Sequence, residues 1–260
     1  MKTMRTLGGP MPLAMAAAVT LALGVGAAQA QDMTASYEGA PVRFGQGLAH
    51  TMVRTDANGK PASISIVFSE SALAGLPASG ESMASAYTLE MPTTGPKTVV
   101  DHVVINWEGH GHPPPGVYDV PHFDFHFYLV SQAEQQQVKF SNEAESADPS
   151  QQPAAALLPV GYVIPPGTAV PQMGVHAVNT AAPEFQRQPF TATFIYGYHN
   201  QQQTFIEPMV ALSFLQSKPS FSAPLARPAS YSKTGAYPAS YSVQYDAANQ
   251  RYEVALQDLR

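Results

Sequence analysis

Four of the eight histidines lie within the seventeen positions from 110 to 126, and the end of this segment alternates strictly. His122, Asp124, His126 and Tyr128 take turns with phenylalanines. Successive side chains of a strand point to opposite faces. A strand here therefore presents a phenylalanine face to a core and a row of imidazole, carboxylate, imidazole and phenol on its other face. Such a row predicts a divalent-metal site or an acid/base site.

The spacing limits which members of the row can share one ion. Residues two apart on a strand are separated by roughly 7 Å and residues four apart by roughly 13 Å. His122 and His126 would therefore converge only on a bent strand, and further ligands must come from other strands or loops.

Three residues outside the row are the strongest further candidates. His112 lies beside three prolines, which stiffen its loop. His176 follows a Gly-Val pair, and Glu207 stands in an otherwise apolar strand, where a carboxylate is costly unless it is paired or metal-bound. The predicted metal ligands are His112, His122, Asp124, His126, His176 and Glu207. Tyr128 is the candidate proton donor should the protein be an enzyme.

Two other interpretations of these residues stay open. In one, the row is an internal hydrogen-bonded seam in which Asp124 orients a neighbouring histidine, and Glu207 forms an ion pair. His50 and His102 then serve as structural residues. In the other, the protein is a binding module that holds a small molecule or polysaccharide through Trp107 and its tyrosines.

Composition narrows the chemistry further. The chain has 260 residues, no cysteine, 12% charged residues and a formal net charge of −6. The missing cysteines exclude disulfides, thiolate zinc sites, iron–sulfur clusters and thiol nucleophiles. Imidazole and carboxylate ligands suit zinc, iron, copper, nickel or manganese. The acidic balance argues against binding to nucleic acid or to an anionic membrane.

Residues 1–30 have the pattern of a secretory signal peptide. Lys2 and Arg5 precede an apolar run that ends in Ala28-Gln29-Ala30. Cleavage after Ala30 is expected, and the mature protein would be periplasmic or secreted. The alternative is a retained N-terminal anchor. The sequence predicts no membrane span in the mature chain.

The rest of the chain predicts a mostly β fold, an antiparallel sandwich or barrel with one or two short helices. Alternating apolar runs are separated by turn signals, such as Asn58-Gly59. A capping box from Ser131 to Glu134 predicts a short helix that ends near Phe140. We expect one β-rich domain over 31–260, with a proline-rich extended segment near 216–240 and a closing C-terminal hairpin.

The string Gly116–Tyr128 (GVYDVPHFDFHFY) resembles the signature of an uncharacterised bacterial family of exported proteins. Matching pieces elsewhere include MGVH, which ends at His176, and FIEPM, which contains Glu207. The resemblance implies a β-rich envelope domain without an established reaction, and an oligomer is among its implications. Members of that family keep a histidine at the place of His112 and not at that of His110.

A second resemblance is to cupins, which bind metal through three histidines and one glutamate on barrel strands. His122, His126, His176 and Glu207 match that set in residue type. The first two histidines of a cupin are two positions apart, whereas His122 and His126 are four apart. The likeness therefore bears on ligand chemistry and not on the fold.

The leading hypothesis is an exported β protein with one His/carboxylate site for a divalent transition metal. The competing hypothesis is a non-catalytic envelope or stress-related protein, a homo-oligomer, in which the row is structural. Whether the protein is an enzyme stays open.

Overall fold

The alternation between 122 and 128 forms a strand that is buried on both faces. It belongs to a computed structural model that describes residues 35–77 and 85–260. These residues fall within one compact unit, Gln31–Arg260. The predicted signal peptide lies outside the described residues.

Fifteen strands and two short α-helices make up the described part of the chain, together with five short 3-10 helices. The strands are, in chain order, β1 (Ala35–Glu38), β2 (Val42–Phe44), β3 (Gly47–Thr55), β4 (Pro61–Ser69), β5 (Ser85–Glu90), β6 (His102–Glu108), β7 (His122–Tyr128), β8 (Tyr162–Val163), β9 (Ala169–Val170), β10 (Gly174–Asn179), β11 (Ala192–His199), β12 (Gln202–Ala211), β13 (Ser220–Pro224), β14 (Ser240–Asp246) and β15 (Arg251–Gln257). The helices are α1 (Gln132–Gln135) and α2 (Leu212–Gln216), and the 3-10 helices are Glu70–Leu73, Glu143–Ala147, Pro149–Gln151, Ala155–Leu157 and Pro183–Gln186.

The strands form two antiparallel sheets. The seven-stranded sheet has the order β1-β3-β4-β15-β14-β13, with β2 also paired to β3. The eight-stranded sheet has the order β5-β6-β7-β12-β11-β10-β8, with β9 also paired to β10. In the described residues each order has two ends, so of the two expected architectures the sandwich is present and the closed barrel is not.

The two sheets pack face to face around an aromatic core. Phe125 of β7 stacks on Phe68 of β4, with ring centroids 5.9 Å apart. Phe123 meets Phe44 of β2 edge to face at 5.5 Å. All three phenylalanines of β7 belong to this core, together with Ile64, Ile66 and Val254 of the other sheet. The phenylalanine face predicted from the alternation is therefore the inter-sheet face.

The polar face of β7 points away from that core and is covered by loops. A second, smaller apolar cluster lies on this outer side of the eight-stranded sheet and includes Tyr128, Phe205 and Met209. Tyr118, from the loop between β6 and β7, and Phe190, which precedes β11, also belong to this cluster. The polar row is thereby placed in a protein interior.

Several local features match the sequence expectations and a few differ. The Ser131 capping box is present, but its helix ends at Gln135 because the chain turns into non-helical structure well before Phe140. The apolar run from Thr98 to Trp107 becomes a strand only from His102 onwards. The proline-rich segment near 216–240 contains β13, which adds an edge strand beside β14.

Among the described residues no helix is both long and apolar enough to cross a bilayer.

The stacking of Phe125 on the opposite sheet yields a stability prediction. Phe125→Ala removes a fully buried ring from the interface between the sheets, so we expect the free energy of unfolding to fall by about 3–5 kcal/mol. Val160→Ala, at a 94% exposed site, is the control and should change it by less than about 0.5 kcal/mol. Equilibrium urea unfolding of both variants measures the difference. Equal stabilities would show that the phenylalanine face does not hold the sheets together.

Candidate metal centre

The pairing of β7 with β12 brings Glu207 to the polar row. Phe205 pairs with Tyr128 and Met209 with Asp124, so Glu207 lies between these pairs. Its Oε1 is 3.6 Å from Nε2 of His126. Glu207 is therefore buried on the outer face of the sheet, next to an imidazole.

His126, His176 and Glu207 form one cluster, which we call the sheet triad because its members lie on β7, β10 and β12. One potential ligand atom from each of the three lies within 4.8 Å of the others. The ring of Phe205 packs against both histidines, 4.6 Å from the ring of His126 and 5.2 Å from that of His176, and the two imidazole rings are themselves 6.4 Å apart. The walls of this triad are therefore mainly aromatic.

His112, His122 and Asp124 form a second cluster, the loop triad, in which the loop that follows β6 supplies His112. Nε2 of His122 is 3.2 Å from Oδ1 of Asp124, and Nε2 of His112 is 3.6 Å from Oδ2. The side chain of His112 is 34% exposed, whereas those of His122 and Asp124 are almost completely buried. The loop triad is thus reached from solvent through His112.

Main-chain carbonyl groups hold three of the four imidazoles by Nδ1. His112 donates to Pro113 O at 2.7 Å, His122 to Val120 O at 2.7 Å and His176 to Thr168 O at 2.9 Å. A carbonyl oxygen only accepts, so Nδ1 of each ring carries a proton. In a neutral ring Nε2 then holds a lone pair, and in each case Nε2 is the ring nitrogen available to the triad. This is how proteins commonly orient a metal-binding imidazole.

The triads concentrate unpaired polar atoms. In residues 35–77 and 85–260, ten buried side-chain nitrogen or oxygen atoms have no hydrogen-bond partner, and five of them belong to the triads. They are His122 Nε2, Asp124 Oδ1, His126 Nδ1, His126 Nε2 and Glu207 Oε2. Leaving a buried polar atom unpaired costs about 1–3 kcal/mol. The described part of the chain therefore concentrates this cost at the two triads.

The loop triad carries separated charges in the metal-free protein. Burial works against a charged His112, but the Asp124 carboxylate beside it outweighs burial and raises the pKa of His112 to about 9. Burial likewise disfavours a charged Asp124, yet His122 and His112 lower the pKa of Asp124 well below its usual range.

The sheet triad is neutral because it is more thoroughly desolvated. Burial lowers the pKa of His126 to about 3 and that of His176 to about 4. Burial, reinforced by Asp124, raises the pKa of Glu207 well above its usual range. A cation between these groups would favour the ionised carboxylate and leave both imidazoles neutral, as metal ligation requires.

The separations fit ligands that share one ion. Metal bonds of about 2.1 Å at a tetrahedral angle put two ligand atoms about 3.4 Å apart. Three of the four carboxylate–imidazole pairs within the triads are 3.2 to 3.6 Å apart, and the ligand atoms of each triad all lie within 4.8 Å of one another. Both triads therefore can hold a metal ion with small side-chain adjustments.

The six predicted ligands all lie on the outer face, but they come together in two groups of three and not in one. His122 and His126 fall in different groups, as their four-residue spacing indicates. Of the cupin-like set, His126, His176 and Glu207 meet and His122 does not. The arrangement gives two candidate sites where the sequence pointed to one.

Other candidates lie outside both triads. The hydroxyl of Tyr128 donates to Gln172 O at 3.0 Å, and the side chain is buried, so its proton is held by the main chain. His102 stacks on Tyr128 at 4.7 Å and contacts Asp101 and Gln135 through its two nitrogens. Trp107 is 8% exposed and donates to Pro77 O, so it is not part of an exposed aromatic binding face.

Sequence reasoning missed three polar residues beside the loop triad. Asn106 and Glu108 pair with Asp124 and His122 across β6 and β7, and burial and Asp124 raise the pKa of Glu108. Tyr118, whose hydroxyl donates to the buried Glu184 at 3.1 Å, packs edge to face on His112. The alternation of Val104, Asn106 and Glu108 was a usable signal for the first two.

Comparison with known proteins relates part of the chain to a family whose description names no activity. Residues 56–107 match a family model described as TTHB210-like, hypothetical protein TTHB210. The matched segment reaches from the turn after β3 to Trp107, so all six triad residues follow it. No curated protein and no solved structure matches the chain significantly. The similarity fits an uncharacterised family of unknown function, and the chemistry rests on the geometry of the triads.

Proposed function

We propose that this protein is an exported metalloprotein that binds divalent transition-metal ions at the sheet triad and at the loop triad. The ligands are Nε2 of all four histidines and the carboxylates of Asp124 and Glu207. The proposal concerns metal binding and assigns no reaction.

The observation that carries the proposal is the set of Nδ1 anchors. Three imidazoles on a loop and two separate strands each donate Nδ1–H to a main-chain carbonyl and have Nε2 left for a carboxylate-containing cluster. A single cation in each triad satisfies the carboxylate and the facing Nε2 atoms together, whereas the metal-free protein must keep a proton on His112 in one triad and on Glu207 in the other.

The donor set selects the class of metal. Two imidazoles and one carboxylate occur at catalytic zinc sites and at non-haem iron(II) sites. The absence of cysteine removes the thiolate ligands that favour copper(I). Zinc, iron(II), manganese, nickel and copper(II) are therefore the ions to compare, with zinc the first to try.

Export is supported by the N-terminal sequence. Two basic residues, an apolar run and Ala28-Gln29-Ala30 supply the three parts of a signal peptide. A site of nitrogen and oxygen ligands also suits an oxidising compartment, where thiolate ligands would be at risk of oxidation.

Metal binding is tested with untagged protein purified after expression of the full gene, stripped with a chelator and titrated with Zn²⁺. We expect two equivalents by elemental analysis and calorimetry. Glu207→Gln and Asp124→Asn should each lower this to one, because each removes one carboxylate with little change in shape. At a free Zn²⁺ concentration of about a hundred times Kd, each occupied site stabilises the protein by about 2.7 kcal/mol, which corresponds to a rise in Tm of roughly 5–10 °C per site.

Two histidines outside the triads provide matched controls. His110→Ala lies two residues from His112 on the same loop, and His199→Ala lies at the end of β11. Both should retain two equivalents of metal. Protein that binds none of the five ions and gains no thermal stability from them would refute the metal proposal and favour a structural polar seam.

Signal-peptide cleavage is tested by expressing the full gene in a Gram-negative host and determining the mass of the exported product. We expect a mature chain that begins at Gln31. Ala28→Glu should block processing and leave the longer precursor, because small residues are required on both sides of the variable position. Gln29→Glu changes the intervening position and should be processed normally. An unprocessed wild-type chain that remains membrane-attached would instead indicate a retained anchor.

A further inference from the structure

We infer that the two triads are unequal sites, and that Asn106 supplies an additional oxygen ligand to the loop triad. The loop triad then favours a six-coordinate ion such as Mn²⁺ relative to the sheet triad, which favours a four-coordinate ion such as Zn²⁺. This inference rests on the proposed metal-binding function and assigns a different cation preference to each site.

The first support is the register between β6 and β7. Asn106 pairs with Asp124, and Glu108 pairs with His122. Directly paired residues project to the same face of a sheet, so an amide and a carboxylate stand beside the loop triad. At the sheet triad, the residue paired with His126 is Val104. The same strand therefore lines one site with oxygen and the other with methyl groups.

The second support is the state of the Asn106 side chain. Asn106 is only 4% exposed, and its Oδ1 is among the buried atoms of residues 35–77 and 85–260 that have no hydrogen-bond partner. A buried amide oxygen normally accepts at least one hydrogen bond. An ion held by Asp124 would satisfy this oxygen, since a neutral carbonyl oxygen is a good ligand for hard cations.

The third support is the difference in access and surroundings. His112 leaves the loop triad partly open to solvent, so water can complete a larger coordination shell. Two imidazoles, Asp124, Asn106 and two water molecules would make six donors for an octahedral ion. The Glu108 carboxylate, paired with His122, is nearby. The sheet triad offers two imidazoles and one carboxylate among Phe205 and Val104, which favours the tetrahedral geometry of zinc with its fourth position left open.

The expected difference is one of relative affinity. Most sites of nitrogen and oxygen bind Zn²⁺ more tightly than Mn²⁺. The informative quantity is therefore the ratio of the Mn²⁺ Kd to the Zn²⁺ Kd at each site. This ratio should be roughly tenfold or more smaller at the loop triad.

The test isolates each site within the full chain. Glu207→Gln leaves the loop triad, Asp124→Asn leaves the sheet triad, and calorimetric titrations with MnCl₂ and ZnCl₂ give the two ratios. Adding Asn106→Ala to the Glu207→Gln protein should weaken Mn²⁺ binding roughly tenfold or more and weaken Zn²⁺ binding less. Adding His110→Ala to the same protein is the control and should change neither.

Asn106→Asp separates a ligand from a positioning group. Aspartate keeps an oxygen at this place and should retain Mn²⁺ binding, with the spectrum of six-coordinate Mn²⁺ by electron paramagnetic resonance. If the amide instead donated a hydrogen bond to Asp124, Asn106→Asp would lose binding as Asn106→Ala does. That result, or equal ratios at the two sites, would overturn the inference while leaving two metal sites. Failure of both isolated proteins to bind either ion would overturn the metal proposal itself.

Discussion

The burial of Phe123, Phe125 and Phe127 between the two sheets fixes everything else about the candidate site. Phe123 contacts Phe44 of the opposite sheet, and Phe125 stacks on Phe68. A slip of one residue in β7 would move all three into the outer layer and drive two histidines and an aspartate into the aromatic core. Such a slip would bury several unpaired polar groups and would also lose the contacts of three phenyl rings. The apolar core therefore fixes the position of the polar row.

Groups in the outer layer then orient the imidazoles of the two triads. Main-chain carbonyls at 113, 120 and 168 do this for three imidazoles. Gly197 does it indirectly, since it pairs with His176 on one side and Phe205 on the other. A Cβ at this position would overlap the Phe205 ring, and that ring packs against both His176 and His126. The sheet triad therefore depends on a glycine that contributes no ligand.

Local patterns in the sequence predict this fold better than they predict the grouping of the ligands. The period-two alternation at 122–128 and the Asn58-Gly59 turn are local signals, and they identify β7 and the β3–β4 hairpin. The grouping of His126 with Glu207 depends on β12 being the neighbour of β7, which is a contact across about eighty residues. Asn106 and Glu108 lie in a segment that Val103, Ile105 and Trp107 dominate. Their partners become visible only when the register with β7 is known.

The aromatic core also explains how an under-satisfied face can persist. Native stability is a small difference between large terms, so five unpaired buried atoms would threaten a small or poorly packed domain. Here the phenylalanine, tyrosine and aliphatic side chains of two large sheets form one continuous core, which can offset that cost in the metal-free state. Ion binding would then return part of the cost as added stability, because ligation and folding are coupled through the same side chains. A functional polar site can thus destabilise the fold until it binds its ion, while the packing of the core keeps the protein folded.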